Sequence, residues 1–289
     1  MEVIVTIIVA LISLIVGWPQ IRKQWKEYRN DKKKKQKGRQ SKLETVLGAN
    51  RLKVGVIPFP PLADYDRLGK GAWTYSGLYK AVFDDIGNRL GLDVEYCPAR
   101  NDKAFDLLNG DKVDVIACLI RNSQRVRKAD FALLRHTLSL NGLCRSGDER
   151  LLTMSGIRDH DVRIVTVSGE IGSTAILDFG IDESQLTVMQ TDEVSDIFHL
   201  VENNAADVAI TDGITCKQYL DDNTTQTNLE FAFRGTPLLV DACGLMTKQA
   251  QPRFSEWLKR EVEISFSNKD LAAMENALLE QFPGVLNRM

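Results

Sequence analysis

Histidine and cysteine are scarce in this 289-residue chain, and each shortage excludes something. The three histidines (His136, His160, His199) are scattered without ligand spacing, so no metal centre is expected. The five cysteines (Cys97, Cys118, Cys144, Cys216, Cys243) form no Cys-x-x-Cys pair, and an odd number fits reduced thiols better than a disulfide framework. Four of them, all but Cys216, sit in or beside apolar runs and read as buried small hydrophobes. With 20 Gly, 8 Pro and 44% hydrophobic residues, the composition excludes a collagen-like, low-complexity or disordered chain. No phosphate-binding or redox-cofactor motif stands out, so no cofactor is expected. The length corresponds to about two domains.

The formal net charge of −2 conceals two unlike pieces. Residues 1–42 carry 11 Lys/Arg against 3 acids, +8, and the remainder carries 26 against 36, −10. An acidic body excludes nucleic acid as the main partner, because phosphate binding needs a cationic face.

From Val3 to Trp18 the chain runs sixteen residues without a charge. As a helix this is about 24 Å, short of the ~30 Å hydrocarbon core. A cleaved signal peptide needs a positive start and small residues at its cleavage site; here Glu2 precedes the run and Trp18-Pro19-Gln20 follows it. The segment is expected to be a retained anchor, residues 1–20, crossing the cell membrane once through residues 3–18. Residues 21–48 follow as a basic linker, including Lys32, Lys33, Lys34 and Lys35. Basic flanks mark the cytoplasmic side of a membrane helix, which puts the body inside the cell.

The body reads as strands alternating with helices. LKVGVI (52–57) is a strand; in GLYKAVFDDIGNRLG, Leu78, Val82, Ile86 and Leu90 recur at helical spacing and Gly91 closes the helix. LDVEYC and VDVIACLI follow as strands around the short helix AFDLLNG. After Arg145–Arg150 the plan repeats: VRIVTVS, GSTAILDFG, LTVMQ, VSDIFHLVENN, ADVAITD. One more strand, LLVDACGLMTK, and two amphipathic helices close the chain. Strands apolar on both faces and alternating with helices predict a mainly parallel α/β sheet.

In this order LKVGVIPFPPL, YSGLYKAVFDDIGNRLGLDVEY, NGDKVDVIACL, NSQRVRKADFA, GSTA and ADVAITD resemble the amino-acid type of bacterial solute-binding protein, the two-lobed receptor of ABC importers. The resemblance spans about residues 51–289. It implies an α/β, two-lobed periplasmic-binding-protein-like (Venus-flytrap) fold behind the N-terminal transmembrane helix. The solute-binding domain would be 49–289, with lobe 1 at 49–145 and 236–289, lobe 2 at 146–235, and hinges near Arg145–Arg150 and Arg234–Pro237.

Residue by residue, Arg125 stands where the family grips a ligand carboxylate, and a guanidinium offers it two parallel donors. Asp212 matches the family's partner for the ligand ammonium. Gly172, Ser173 and Thr174 match the turn whose backbone N–H groups complete the carboxylate site, and Phe59 matches an aromatic packed on the ligand. Tyr75, beside the ligand loop with Trp73, is a candidate lining residue. The sequence also departs from the family: Ile120 replaces a hydroxyl, Asn122 a threonine, and Asn101 the aromatic of the pocket's second wall. One carboxylate hydrogen bond is thereby missing.

The resemblance implies a membrane-anchored binding or sensor domain, not an enzyme, closing on a small carboxylate-bearing, amino-acid-like ligand for transport or signalling, with a permease or signalling protein as partner. It also keeps the periplasmic side open as the body's location. Two alternatives stand beside it: a dehydratase on the same fold, with Glu170 as general acid, and a degenerate domain that binds a protein. Against the former, Glu170 by itself reads as a solvated loop residue.

Overall fold

The computed structural model describes residues 41–289 except 69, 70 and 192, so the expected anchor, residues 1–20, and most of the expected linker lie outside the described residues. Among the described residues no helix is long and apolar enough to cross a membrane. Helix α1 (Lys42–Ala49) opens the described chain. Ser41 accepts the Glu44 N–H while the Glu44 carboxylate accepts the Ser41 N–H, and Asn50 ends the helix in the left-handed region. The last residues of the expected linker, 42–48, are therefore helical; Val46 is buried, and Lys42 pairs with Asp114 at 2.8 Å.

Three parallel strands, β1 (Arg51–Val56), β4 (Asp93–Pro98) and β5 (Val115–Ile120), form one end of the sheet. The hairpin β2 (Asp64–Leu68) and β3 (Ala72–Ser76) stands off it. Helix α2 (Leu78–Leu90) buries Leu78, Val82 and Ile86 as its spacing predicts, while Leu90 at its end is exposed. The short helices α3 (Ala104–Asn109) and α4 (Ser123–Val126) lead into and out of β5.

The longest strand, β6 (Asp130–Arg145), and the hairpin have no clear signature in the sequence. Beyond β6, helix α5 (Met154–Asp159), strand β7 (Ile164–Val167), helix α6 (Ile171–Asp178), strand β8 (Leu186–Met189), helix α7 (Ser195–Glu202) and strand β9 (Val208–Asp212) build a second parallel set. Helix α8 (Gly213–Asp222), strand β10 (Leu229–Phe231), strand β11 (Leu239–Thr247), helices α9 (Pro252–Ser265) and α10 (Lys269–Gln281), and strand β12 (Leu286–Arg288) complete the order.

The backbone of the sheet runs β4-β1-β5-β11-β6-β9-β7-β8, with β6 and β11 antiparallel at its middle. Strand β6 joins the halves: from Asp130 to Leu140 it faces β11, and from Leu140 to Cys144 it faces β9. The apolar clusters divide at the same place. Two gather buried residues between 46 and 138 and between 243 and 286, two gather buried residues from 140 to 238, and Ile214 and the partly buried Ile120 also pack with the opposite set. The passage between halves thus lies inside β6 and just ahead of β11. Arg145 and Arg150, where a hinge is expected, are held within the second half by Asp207. Strand β6 pairs with β11 and then β9, with register shifts opposite Cys243/Gly244 and Leu245/Met246, and Ser139 and Asn141 are buried in it, so it shows no clean apolar alternation.

Candidate functional site

Ligands of open α/β sheets lie beyond the carboxyl ends of parallel strands, and here both parallel sets point such ends at one cleft. From the first half come Ile57, Pro58 and Phe59 after β1, and Arg125 on the turn after β5. Asn122 caps that turn, its Oδ1 accepting the Arg125 N–H at 2.8 Å. From the second half come Gly169 and Glu170 after β7, and Asp212 at the end of β9.

All of these but Gly169 line an inner chamber of about 60 Å³ that is open on one side. Drug-sized ligands occupy pockets of roughly 300–1,000 Å³, so the halves here are closed on one another. An outer cavity of about 480 Å³ adjoins it, and Asn101, Arg125 and Glu170 line both. The closure has a visible contact: Arg125 Nη2 donates to Gly169 O at 3.1 Å across the cleft. Gly169, at φ +78°, comes so near Asn101 that a Cβ would lie 3.3 Å from the Asn101 Cβ.

Electrostatically the chamber is unsettled. Arg125 is only 7% exposed, and burial, opposed by the nearby Glu170 charge, lowers its pKa to about 10, leaving it cationic at neutral pH. Burial raises the Glu170 carboxyl to about 7, the Asp212 charge adds to the effect, and a 2.8 Å hydrogen bond from Thr211 Oγ1 opposes it. Asp212 is also pushed upward by burial. Its carboxylate caps α8, accepting the Thr215 N–H at 2.8 Å and the Thr215 hydroxyl at 2.7 Å. Among the described residues no ion pair joins Arg125 to either acid.

The residues singled out in the sequence separate into three groups. Arg125, Asp212, Phe59 and Asn101 meet at the inner chamber. Ser173 and Thr174 line the outer cavity only. Gly172 and Tyr75 line neither. Gly172 is buried against β7 and β9, where an added Cβ would lie 2.4 Å from Thr166 Oγ1, so packing accounts for the glycine. Tyr75 sits in an aromatic group on the hairpin, 5.3 Å from the Tyr96 ring and 6.3 Å from the Tyr65 ring between centroids, and burial raises its hydroxyl to about 12.

Glu170 is the main residue sequence reasoning undervalued: expected in a solvated loop, it lines both cavities. A lone acid before a helix carries no sign of burial. Cys118, at the chamber, lies with its sulfur 3.4 Å from that of Cys243, both thiols buried.

No protein-family model and no curated protein matches the chain. Solved structures do. The sensor domain of a histidine kinase with similarity to periplasmic binding proteins superposes with TM-score 0.66 at 17% identity, over 81% of this chain and 96% of its own. The solute receptor for L-cysteine of Neisseria gonorrhoeae superposes with TM-score 0.66 at 16% identity, over 83% and 94%. An ancestral amino-acid-binding protein, a precursor of cyclohexadienyl dehydratase, superposes with TM-score 0.65 at 16% identity, over 84% and 99%. The chain therefore has the two-lobed α/β fold of periplasmic binding proteins, the fold expected from its motifs. At these identities the likeness establishes the fold alone.

Proposed function

We propose that this protein is a membrane-tethered binding or sensor domain that closes its two halves on a small amino-acid-like ligand. One observation carries the reading: Arg125 from the first half and the carboxyls of Glu170 and Asp212 from the second line a single chamber. Opposite charges presented by separate bodies suit a ligand with both an ammonium and a carboxylate, and a ligand bonded to both halves shifts the population toward the closed form. The proteins of similar structure are named as an amino-acid-binding protein, a solute receptor and a kinase sensor domain, which supports binding over catalysis and leaves a permease or a signalling protein as the partner.

The tether is assigned to residues 3–18, and the lobes to the two sets of apolar clusters. Helix α1, the last part of the expected linker, is fastened to the first half through Lys42 with Asp111 and Asp114, so ligand-driven closure swings the second half against the tethered one. The +8 head favours a body on the cytoplasmic side; cysteine labelling in intact cells tests this, and labelling from outside reverses it.

Binding is tested by thermal stabilisation across an amino-acid and amine panel. At least one member is expected to stabilise the protein, and Arg125→Ala to abolish the effect. A panel without effect, or an Arg125→Ala variant that binds as the parent does, removes the proposal. The raised carboxyl of Glu170 on the cleft wall favours one second reading, a dehydratase in which Glu170 donates the proton. That reading requires turnover of a prephenate-like substrate, lost in Glu170→Gln.

A further inference from the structure

The binding proposal leaves open which end of the ligand enters the cleft first. Three observations answer this. The first is the state of Arg125. Nη2 donates to Asn101 Oδ1 at 3.3 Å and to Gly169 O at 3.1 Å, and Nη1 donates to Ile120 O at 2.6 Å. A bidentate carboxylate needs parallel N–H groups on two neighbouring nitrogens. Both such pairs on a guanidinium, Nε with Nη2 and Nη1 with Nη2, include Nη2, whose two N–H groups are engaged. In the closed form no two-pronged grip on a carboxylate remains.

The second observation is the balance of charge. The inner chamber and the outer cavity are lined by four acids, Glu170, Asp212, Asp102 and Asp178, against two bases, Arg125 and Lys128. Of the Glu170 carboxylate, only Oε2 receives a hydrogen bond, from Thr211, and the other oxygen is unpartnered among the described residues. A partly buried carboxylate near a second, buried one, with no cation bonded to either among the described residues, is costly to ionise, and a bound cation relieves the cost.

The third is shape. The inner chamber, about 60 Å³, accommodates a head group and no more, and it shares Asn101, Arg125 and Glu170 with the 480 Å³ cavity outside it. A ligand occupying both would be elongated.

We infer that the cleft takes a linear primary amine head-first, its ammonium between Glu170 and Asp212 in the inner chamber and its far end in the outer cavity near Ser173 and Thr174. The inference rests on the ligand-binding reading above and changes the part played by Arg125, which holds the halves shut through Gly169 and leaves the ammonium as the end that is recognised.

A pH signature follows. Glu170 faces Asp212 and Arg125 and lies near the Cys216 thiol. Its carboxyl titrates at about 7, and an ammonium binds the ionised form better while itself staying protonated. Amine affinity therefore rises with pH until Glu170 is ionised, by up to about tenfold per pH unit below 7.

The test is calorimetric titration of the full chain, in mild detergent, with 5-aminopentanoate, pentanoate and norvaline, from about pH 5.5 to about pH 8, on the parent, Glu170→Gln and Arg125→Ala. The expected result is that 5-aminopentanoate binds at least about tenfold more tightly than pentanoate or norvaline, with the rising pH profile. Glu170→Gln then lowers its affinity by about tenfold or more and flattens the profile, and the melting temperature of the unliganded variant shows that it folds. If norvaline binds best and depends on Arg125 but not on Glu170, or if pentanoate equals 5-aminopentanoate, the amine-first inference is overturned while amino-acid-like binding stands. If none of the three binds, the amine-first inference falls, and the binding reading is decided by the panel described above.

Discussion

Two groups of charges, one around Glu275 and one in the cleft, are built on different terms. Glu275 is 1% exposed and takes hydrogen bonds from Arg135, His136 and Arg288; His136 in turn meets the Tyr79 hydroxyl at 3.1 Å. Burial works to raise its carboxyl, but the bonds from His136 and Arg135 and the Arg135 charge overcome this and hold it at about 2. In the cleft, Glu170 is partly buried and Asp212 buried, yet among the described residues no cation is bonded to either and both carboxyls lie above their ordinary range. The difference separates a charge that secures the fold, clamping β12 and α10 to β6, from charges arranged around a space. Uncompensated buried charge is tolerated where a ligand completes it.

The largest expected break in this comparison is Glu275→Ala. Removing the acid leaves two arginines and a histidine without their partner, and breaking such a buried pair costs about 3–5 kcal/mol; urea unfolding measures it, and ligand affinity well below the melting temperature is expected to be unchanged. The same group sets an acid limit. Its folded pKa is depressed, so its contribution is present above the usual carboxylate range and is lost as pH falls from about 4.5 toward 2. A Glu275→Gln variant loses that part of the acid dependence.

In the cleft the sign is opposite. Glu170 is raised from 4.5 to about 7, so the folded state holds the proton that the unfolded chain releases, and stability falls as pH rises across that window. Glu170→Gln is expected to be about 3 kcal/mol more stable than the parent near pH 8, as an order of magnitude, and no more stable near pH 4. A variant equally or less stable at both pH values would show that Glu170 is as well compensated as Glu275.

Gly172→Ala forces a Cβ to within 2.4 Å of Thr166 Oγ1 and is expected to cost about 1–3 kcal/mol. A loss of ligand binding without that loss of stability would return Gly172 to the cleft. Smallest is Tyr75→Phe: with no hydrogen bond from its hydroxyl, the change is expected to stay within about 0.5 kcal/mol and to leave ligand affinity as it was. A loss of affinity would move the hairpin into the site.

The parts of this molecule open to reading from sequence are those decided by local periodicity. Leu78, Val82 and Ile86 repeat at helical spacing and are buried; VDVIACLI and ADVAITD are apolar on both faces and become β5 and β9 between neighbours. Strand β6 escaped because Ser139 and Asn141 are buried in its middle, where the chain passes from one half to the other and polarity no longer marks the solvent side. Within the site, Arg125, Asp212, Phe59 and Asn101 were identified and lie together, while Tyr75 went to an aromatic cluster that only the hairpin pairing creates.

What the sequence by itself determined is the two-lobed α/β plan and the division of charge between a basic head and an acidic body, since both follow from residue order along the chain. The tertiary structure alone decided that Arg125 is engaged by carbonyl oxygens, that Glu170 is withdrawn from water beside Asp212, and that the space between them admits only a head group. Those properties depend on distances between segments far apart in the chain, and desolvation and hydrogen-bond saturation are properties of such distances.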